Sequence, residues 1–503
     1  MRRSDIIVRN TLVLYFRMLI VLVINLFIVR IVLEAFGEIE YGVYNVIAGV
    51  ISMFTFLNTV IMTSTQRFYS IALGERDNIK LNIIYSLTIK ACVLISLLVI
   101  IVSETFGIYL LNNALRIPHN LNFSANILFQ ITIINFVLSV FQIPFGACII
   151  AHEDIGKFAI ISTLETVLKL ISALLLLKVY NDRLILYGVF LAFTTLIVLL
   201  LYIWISKKDY SECKYVNTKD NSLLKEIISF SGWSSLGSIA GMGIHYVNTI
   251  IINIFFGPLI NTVFAISFQV SSALNSFCGS IVTAIRPPMI KLYVEKEYFK
   301  LNELFFLSNK GIFYCLLVIC IPIMIETHTI LDLWLNYSNE QTVIFIRLII
   351  LYSLILVLNN PISIIIQATG YVKEYFLPVE TITLLCPILT YICFKLGSKP
   401  EYVIYSMIFC VFISHIVRII IIRKYYDKII IRPYCIFLFK SLIISLITFS
   451  ICLGISHFII ENFIRLVAVI ISSIFITLGF GYCFALNKME RNYVSSIIRR
   501  LLK

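Results

Sequence analysis

The chain is dominated by apolar runs of twenty or more residues, recurring from one end to the other and broken by short charged segments. A run of that length spans the roughly 30 Å hydrocarbon core of a bilayer as a helix rising 1.5 Å per residue. Inside lipid no water is present to bind backbone N–H and C=O groups, so only helices and closed barrels cross it. The runs are continuous and lack the alternation of a lipid-facing strand, which selects helices. Windows of strong hydropathy fall at 11–33, 41–64, 83–103, 125–150, 157–178, 184–205, 228–255, 261–284, 308–326, 342–368, 376–396, 402–422, 434–457 and 463–486. The expected fold is therefore an all-α integral membrane protein of about fourteen spans. With 60% hydrophobic and 13% charged residues and a mean hydropathy of +0.97, a soluble globular domain is excluded. The first window carries Arg17 and Arg30 and ends at Glu34-Ala-Phe-Gly37 without a small-residue cleavage site, so it reads as a span and not a signal peptide.

Charge sets the expected orientation. Most of the 40 Lys and Arg residues lie in alternate connections, among them Arg2, Arg3 and Arg9, the segment Lys207–Lys225, the segment Arg286–Lys310, Arg423–Arg432 and Lys488–Lys503. The opposite connections hold only Arg116, Lys178, Arg183, Lys395, Lys399 and Arg465. By the positive-inside rule both termini are expected in the cytoplasm. The net charge of +13 then reflects basic loops facing anionic lipid, with no nucleic-acid partner required. The twelve cysteines are scattered singly through apolar runs, as at Cys92, Cys148, Cys278, Cys386 and Cys410, and read as buried thiols rather than disulfides or metal ligands. No connection is long enough for a catalytic domain.

A weak internal repeat is visible. Phe36-Gly37 closes span one and Phe256-Gly257 closes span seven, while Arg67 and Arg286 end spans two and eight. Offsets of 220 and 219 residues suggest two lobes of like orientation, related about the membrane normal. The expected division is a six-helix lobe over 1–205, a cytoplasmic linker 206–227, a second six-helix lobe over 228–424, two further spans over 425–487 and a basic tail 488–503.

Ionisable residues within spans are costly unless they snorkel, pair or face water. Arg347, Glu380, Arg418 and Lys440 lie near span ends and read as snorkelling. Arg17, Asn25 and Arg30 give span one three polar positions, which points to a wall on water or ligand. Arg17 and Arg30 are about 140° apart around the helix, so both reach one ligand only with a bend or a wide cavity. Lys90 in span three reaches either the same cavity or the inner interface. Glu165 and Lys169 sit mid-span, four residues apart in the favourable order, as either a self-neutralising pair or a coupling switch. Span seven is small and polar from Ser231 to Gly243 and continues to His245, Asn248 and Asn253. His245 and Asn248, with Arg67 and Arg286 at the cytoplasmic ends of their spans, complete the candidate substrate-binding set. Pro144, Pro322, Pro361 and Pro387 are candidate hinges.

The run Asn10-Thr-Leu-Val-Leu-Tyr-Phe-Arg-Met-Leu-Ile20, then Val29-Arg-Ile-Val-Leu33, Tyr41-Gly-Val-Tyr-Asn-Val46, Phe54-Thr-Phe-Leu-Asn58 and Thr65-Gln-Arg-Phe68, resembles the start of bacterial oligosaccharide flippases of the Wzx type. Ile150-Ala-His-Glu-Asp-Ile-Gly-Lys157 is similar to their loop after span four. These proteins belong to the multidrug/oligosaccharidyl-lipid/polysaccharide exporter superfamily, and the likeness covers roughly residues 10–170. It implies two six-helix bundles in a V-shaped, MATE-like arrangement around a cavity, plus two C-terminal helices. It also implies movement of undecaprenyl-diphosphate-linked oligosaccharide from the inner to the outer leaflet of the bacterial cytoplasmic membrane, for O-antigen, capsule or exopolysaccharide.

Fixed Arg and Lys in a hydrated cavity suit such an anionic headgroup. Expected partners are that lipid-linked glycan, membrane lipids and other glycan-assembly membrane proteins, with the chain itself a monomer. No cofactor is expected; coupling to a Na+ or H+ gradient or to the membrane potential stays open. Two rivals are a MATE-type cation-coupled multidrug antiporter and a membrane polymerase, ligase or acyltransferase acting on lipid-linked glycans. Span one offers arginine and no acid for a cationic drug, and no H-E-x-x-H, G-x-S-x-G or phosphate loop occurs.

Overall fold

The computed structural model describes residues 3–179, 182–210, 213–216, 241–336, 339–426, 431–487 and 490–491. Among them the chain is helical and contains no strand. Twelve helices are long and apolar enough to cross a membrane, and Gly241–Phe256 is a shorter apolar helix. Two of the fourteen expected windows are not among the twelve: 41–64 is divided between α1 (Arg3–Ser52) and α2 (Thr55–Glu75), and 228–255 is described only from Gly241. The polar stretch Ser231–Ala240, the linker beyond residue 216 and the tail beyond residue 491 lie outside the described residues.

The chain forms two compact units, Met1–Ala265 with Thr390–Pro400, and Ile266–Leu389 with Glu401–Lys503. In the first, α1 and α2 are followed by α3 (Asn78–Val102), α4 (Asn122–Val140), α5 (Ile143–Ala151), α6 (Ile155–Leu176), α7 (Arg183–Asp209) and α8 (Gly241–Phe256). The run Arg3–Ser52 is two helices joined at Gly37, whose φ of 68° and ψ of 179° suit a residue without Cβ. Gly257, its counterpart in the internal repeat, also has a positive φ, 82°. The repeat seen in the sequence thus marks two equivalent turns.

Helix α1 packs on α6 and α4, and α4 on α7. Hydroxyl pairs knit the bundle where water is absent: Thr65 with Thr88 at 3.3 Å and Ser172 with Thr194 at 3.2 Å. A core of Tyr69, Leu81, Ile84, Phe145, Ile149, Val198 and Tyr202 fills the end nearest the α5–α6 loop. Leu94, Leu97, Leu98 and Ile101 of α3 are all exposed and recur at helical spacing, an apolar stripe suited to lipid.

The second unit contains α9 (Pro258–Val294) from Ile266 onward, then α10 (Tyr298–Ile325), α11 (Thr327–Leu335), α12 (Glu340–Val357), α13 (Asn359–Thr369), α14 (Val372–Lys395) as far as Leu389, α15 (Tyr402–Tyr425), α16 (Ile431–Phe458) and α17 (Asn462–Phe480). Its core joins Phe305, Phe313, Ile362, Ile365, Tyr375 and Phe437. Two expected hinge prolines follow helix breaks: Pro144 opens α5 just after the break at Phe141-Gln142, and Pro361 follows the break at Leu358. Pro322 and Pro387 lie inside α10 and α14. No disulfide occurs among the described residues.

Candidate functional site

Helices α1, α2, α4, α6 and α7 of the first unit enclose a cavity of about 290 Å³. Span one contributes Asn25 and Ile28, the continuation beyond Gly37 contributes Tyr44 and Ser52, α2 contributes Thr55, and α7 contributes Tyr187 and Leu191. Helix α4 presents Thr132, Asn135 and Ser139, positions i, i+3 and i+7 that share one helical face. Among the described residues, Lys169 of α6 is the only charged member of the lining.

The walls are polar but largely self-satisfied. Thr132 Oγ1 donates to Phe129 O and Ser139 Oγ to Phe136 O, each at 2.7 Å, and Asn58 Nδ2 donates to Ser139 Oγ at 3.0 Å. Asn135 Oδ1 is buried without a hydrogen-bond partner among the described residues, as is Asn58 Oδ1 behind the wall. The rings of Tyr44 and Tyr187 meet edge-on at 5.2 Å, with Phe36 at 5.9 and 5.6 Å from them.

Lys169 Nζ contacts Glu165 Oε1 at 2.6 Å, so the cation at the wall is already committed. Arg17 lies over the Phe158 ring at 5.2 Å, and its electrostatic neighbours are Tyr202 and Glu165. Glu165 is therefore bonded to Lys169 and lies within electrostatic range of Arg17. The sequence treated Arg17 and the Glu165–Lys169 pair as separate features; the structure joins them at the α1–α6 seam.

The other expected site residues are placed as follows. Asn25 lines the cavity. Arg30 and Lys90 are half-buried and lie outside its lining, and Arg67 is exposed within α2, which runs on past it to Glu75 instead of ending there. His245 packs against the rings of Tyr246 at 4.8 Å and Phe264 at 5.6 Å. Asn248 is fully buried. Arg286 is exposed beside Pro287 and Pro288 in the second unit. Also in the second unit, Arg418 does more than reach an interface: its Nη1 donates to Tyr375 OH at 2.5 Å and its Nε to Ser414 Oγ at 3.2 Å. Buried His415 Nδ1 lies 2.7 Å from Asn359 Oδ1 at the α12–α13 break. Neither this histidine nor the Thr132–Asn135–Ser139 face was singled out from sequence, although the latter's helical spacing was there to be read.

The α5–α6 loop is fastened by a polar cluster. Lys157 Nζ bridges Asp154 Oδ2 at 3.0 Å and Asp209 Oδ2 at 2.8 Å, Tyr210 OH donates to Asp154 Oδ2 at 2.5 Å, and His152 stacks on Tyr210. Burial works against the Asp154 carboxylate, but hydrogen bonds from Tyr210 and Lys157 outweigh it and hold the group below its ordinary range. Burial, reinforced by Asp154, pushes the Tyr210 hydroxyl up.

Compared with solved structures, the chain matches the inward closed conformation of the lipid II flippase MurJ with a TM-score of 0.71, covering 95% of this chain and 98% of that one at 16% identity. This is the MurJ and MATE fold. The MATE multidrug transporter DinF-BH matches at a TM-score of 0.63 and 14% identity, over 85% of this chain and 97% of that one. An inward-facing multidrug resistance MATE family transporter of the MOP superfamily matches at 0.60 and 14% identity, over 82% and 93%. Among curated proteins, the uncharacterized membrane protein EpsK of Bacillus subtilis (strain 168) is 20% identical over 323 residues, and the chain spans 63% of its length. No family model matches. The MurJ and MATE fold, with its many apolar helices, makes the chain a multi-pass membrane protein.

Proposed function

We propose that the chain is a membrane flippase of the MOP superfamily that carries undecaprenyl-diphosphate-linked oligosaccharide from the inner to the outer leaflet of the bacterial cytoplasmic membrane. The observation that supports this reading is a polar, aromatic-lined cavity among apolar helices, in a chain 95% of which matches the fold of a lipid II flippase. The lipid tail stays among acyl chains while the sugars pass through the protein by alternating access. Both termini are cytoplasmic, and two six-helix lobes do the work with two trailing spans beside them. Membrane lipids and other glycan-assembly proteins are its neighbours, and it acts as a monomer, supplying O-antigen, capsule or exopolysaccharide assembly.

Arg17, Arg30 and Lys90 meet the diphosphate, aided by Arg67 and Arg286 at the cytoplasmic ends, while His245 and Asn248 complete the binding surface and the Glu165–Lys169 pair is the coupling switch. Energy comes from a Na+ or H+ gradient or from the membrane potential. The test is reconstitution into liposomes with a reporter of the leaflet occupied by lipid-linked oligosaccharide. Wild type should reorient the lipid and Arg17→Ala should slow it; wild type without reorientation refutes the proposal. In Glu165→Gln, unchanged dependence on pH and sodium would leave the pair structural. Preferential export of a rhodamine dye by the same vesicles would favour the multidrug antiporter.

A further inference from the structure

We infer that the cavity of the first unit is a subsite for one neutral sugar residue of the cargo, separate from wherever the diphosphate is held. The inference deepens the proposed function and rests on it for the identity of the carrier lipid.

Charge is the first argument. A diphosphate needs uncommitted cations, yet Lys169, the one charged residue of the described lining, is held by Glu165 at 2.6 Å. A lipophilic cation needs an uncommitted carboxylate, and none lines the cavity among the described residues. What remains is a neutral surface rich in both donors and acceptors. Amides of Asn25 and Asn135 and hydroxyls of Thr132 and Ser139 supply it, and each amide both gives and takes hydrogen bonds. A sugar hydroxyl does the same.

The second argument is the aromatic part of the lining. Tyr44 and Tyr187 add ring surfaces for the apolar C–H face of a pyranose. Size agrees. At about 290 Å³ the cavity sits at the lower end of small-molecule sites, which run from about 300 to 1,000 Å³. It holds a single residue and not a whole repeat unit.

The test uses the full-length protein with Ser139→Cys, and Thr132→Cys as a second reporter should the first fail to fold. Labelling at that position by a methanethiosulfonate reagent is quantified by peptide mass spectrometry, which separates it from the native cysteines. The probes are the oligosaccharide released by mild acid from the lipid fraction of a strain lacking the protein, and inorganic diphosphate. At ten times its half-protecting concentration the oligosaccharide should slow labelling about tenfold, while diphosphate leaves it unchanged. Protection by diphosphate instead, or by neither probe, overturns the subsite. Reorientation of the lipid-linked oligosaccharide by wild-type vesicles is measured in parallel. Vesicles that flip the lipid without sugar protection refute the subsite alone; sugar protection without flipping refutes the flippase reading and leaves a sugar site standing.

Discussion

Removing Glu490 should cost more stability than any surface charge, because its partner is buried. Lys310 Nζ meets Glu490 Oε1 at 2.8 Å and Oε2 at 2.7 Å, with the two side chains only 6% and 9% exposed. Glu490 Oε2 also accepts from Asn487 N at 2.6 Å. In Glu490→Ala an ammonium is left in the bundle without its counter-ion. Breaking a buried pair in this way costs about 3–5 kcal/mol, more than a hundredfold in the unfolding equilibrium at about 1.4 kcal/mol per factor of ten. Replacing both partners by apolar residues of similar size is expected to be close to neutral, so Lys310→Met with Glu490→Met should unfold within about 1 kcal/mol of wild type. Unfolding in mixed micelles, followed by circular dichroism for wild type, Glu490→Ala, Lys310→Met, Glu490→Met and the double methionine variant, closes the cycle. Glu490→Ala within about 0.5 kcal/mol of wild type, or single effects that simply add, would refute the reasoning.

Three further outcomes follow from other contacts. In Arg465→Ala, Glu326, only 3% exposed, loses contacts of 2.7 and 3.0 Å; a loss of about 3 kcal/mol in the same unfolding assay is expected, and less than about 0.5 would show that Thr329 alone satisfies the carboxylate. Asp154→Asn bears on pH: a carboxylate held below its ordinary range stabilises fully above its unfolded pKa of about 3.9 and loses that as pH falls through the lower folded value. The variant should therefore be less stable than wild type from about pH 5 to 8, by under about 1 kcal/mol for so exposed a pair, and the two should converge in acid; a gap that persists in acid refutes it. Lys169→Met should tighten binding of a cationic rhodamine dye about fivefold, roughly 1 kcal/mol, as Glu165 loses its contact at 2.6 Å and keeps only the more distant Arg17, and fluorescence anisotropy with no change would place Glu165 outside the reach of the cavity.

How much was legible in the sequence depended on whether the signal was local. Helical, membrane-spanning architecture was, because backbone satisfaction in lipid permits little else. The turns at Gly37 and Gly257 were, because a positive φ restricts residue choice at a single position. Asn25 and Lys169 stood out as polar groups deep in apolar runs, and both line the cavity. Thr132, Asn135 and Ser139 were passed over because hydroxyls and amides barely lower the hydropathy of a window. Arg418 was read by its distance from a span end. Its hydrogen-bond partner Tyr375 is 43 positions away on another helix, which no local pattern reports. The same holds for the meeting of Arg17 with Glu165, a matter of which faces α1 and α6 turn toward each other.

A fold shared by a lipid II flippase and multidrug transporters cannot by itself name the cargo, and the proposed function leans on the charge pattern at and behind the cavity wall. Arg17 and Lys169 flank one carboxylate, a group with a net charge of one. A diphosphate entering the cavity would compete with Glu165 for Lys169 and leave a carboxylate half-buried without its partner, an exchange that gains little. A neutral sugar disturbs neither group, so the proposed cargo, with a charged end and a neutral end, would place its neutral end among Asn25, Asn135 and the tyrosines of the lining and its charged end outside them.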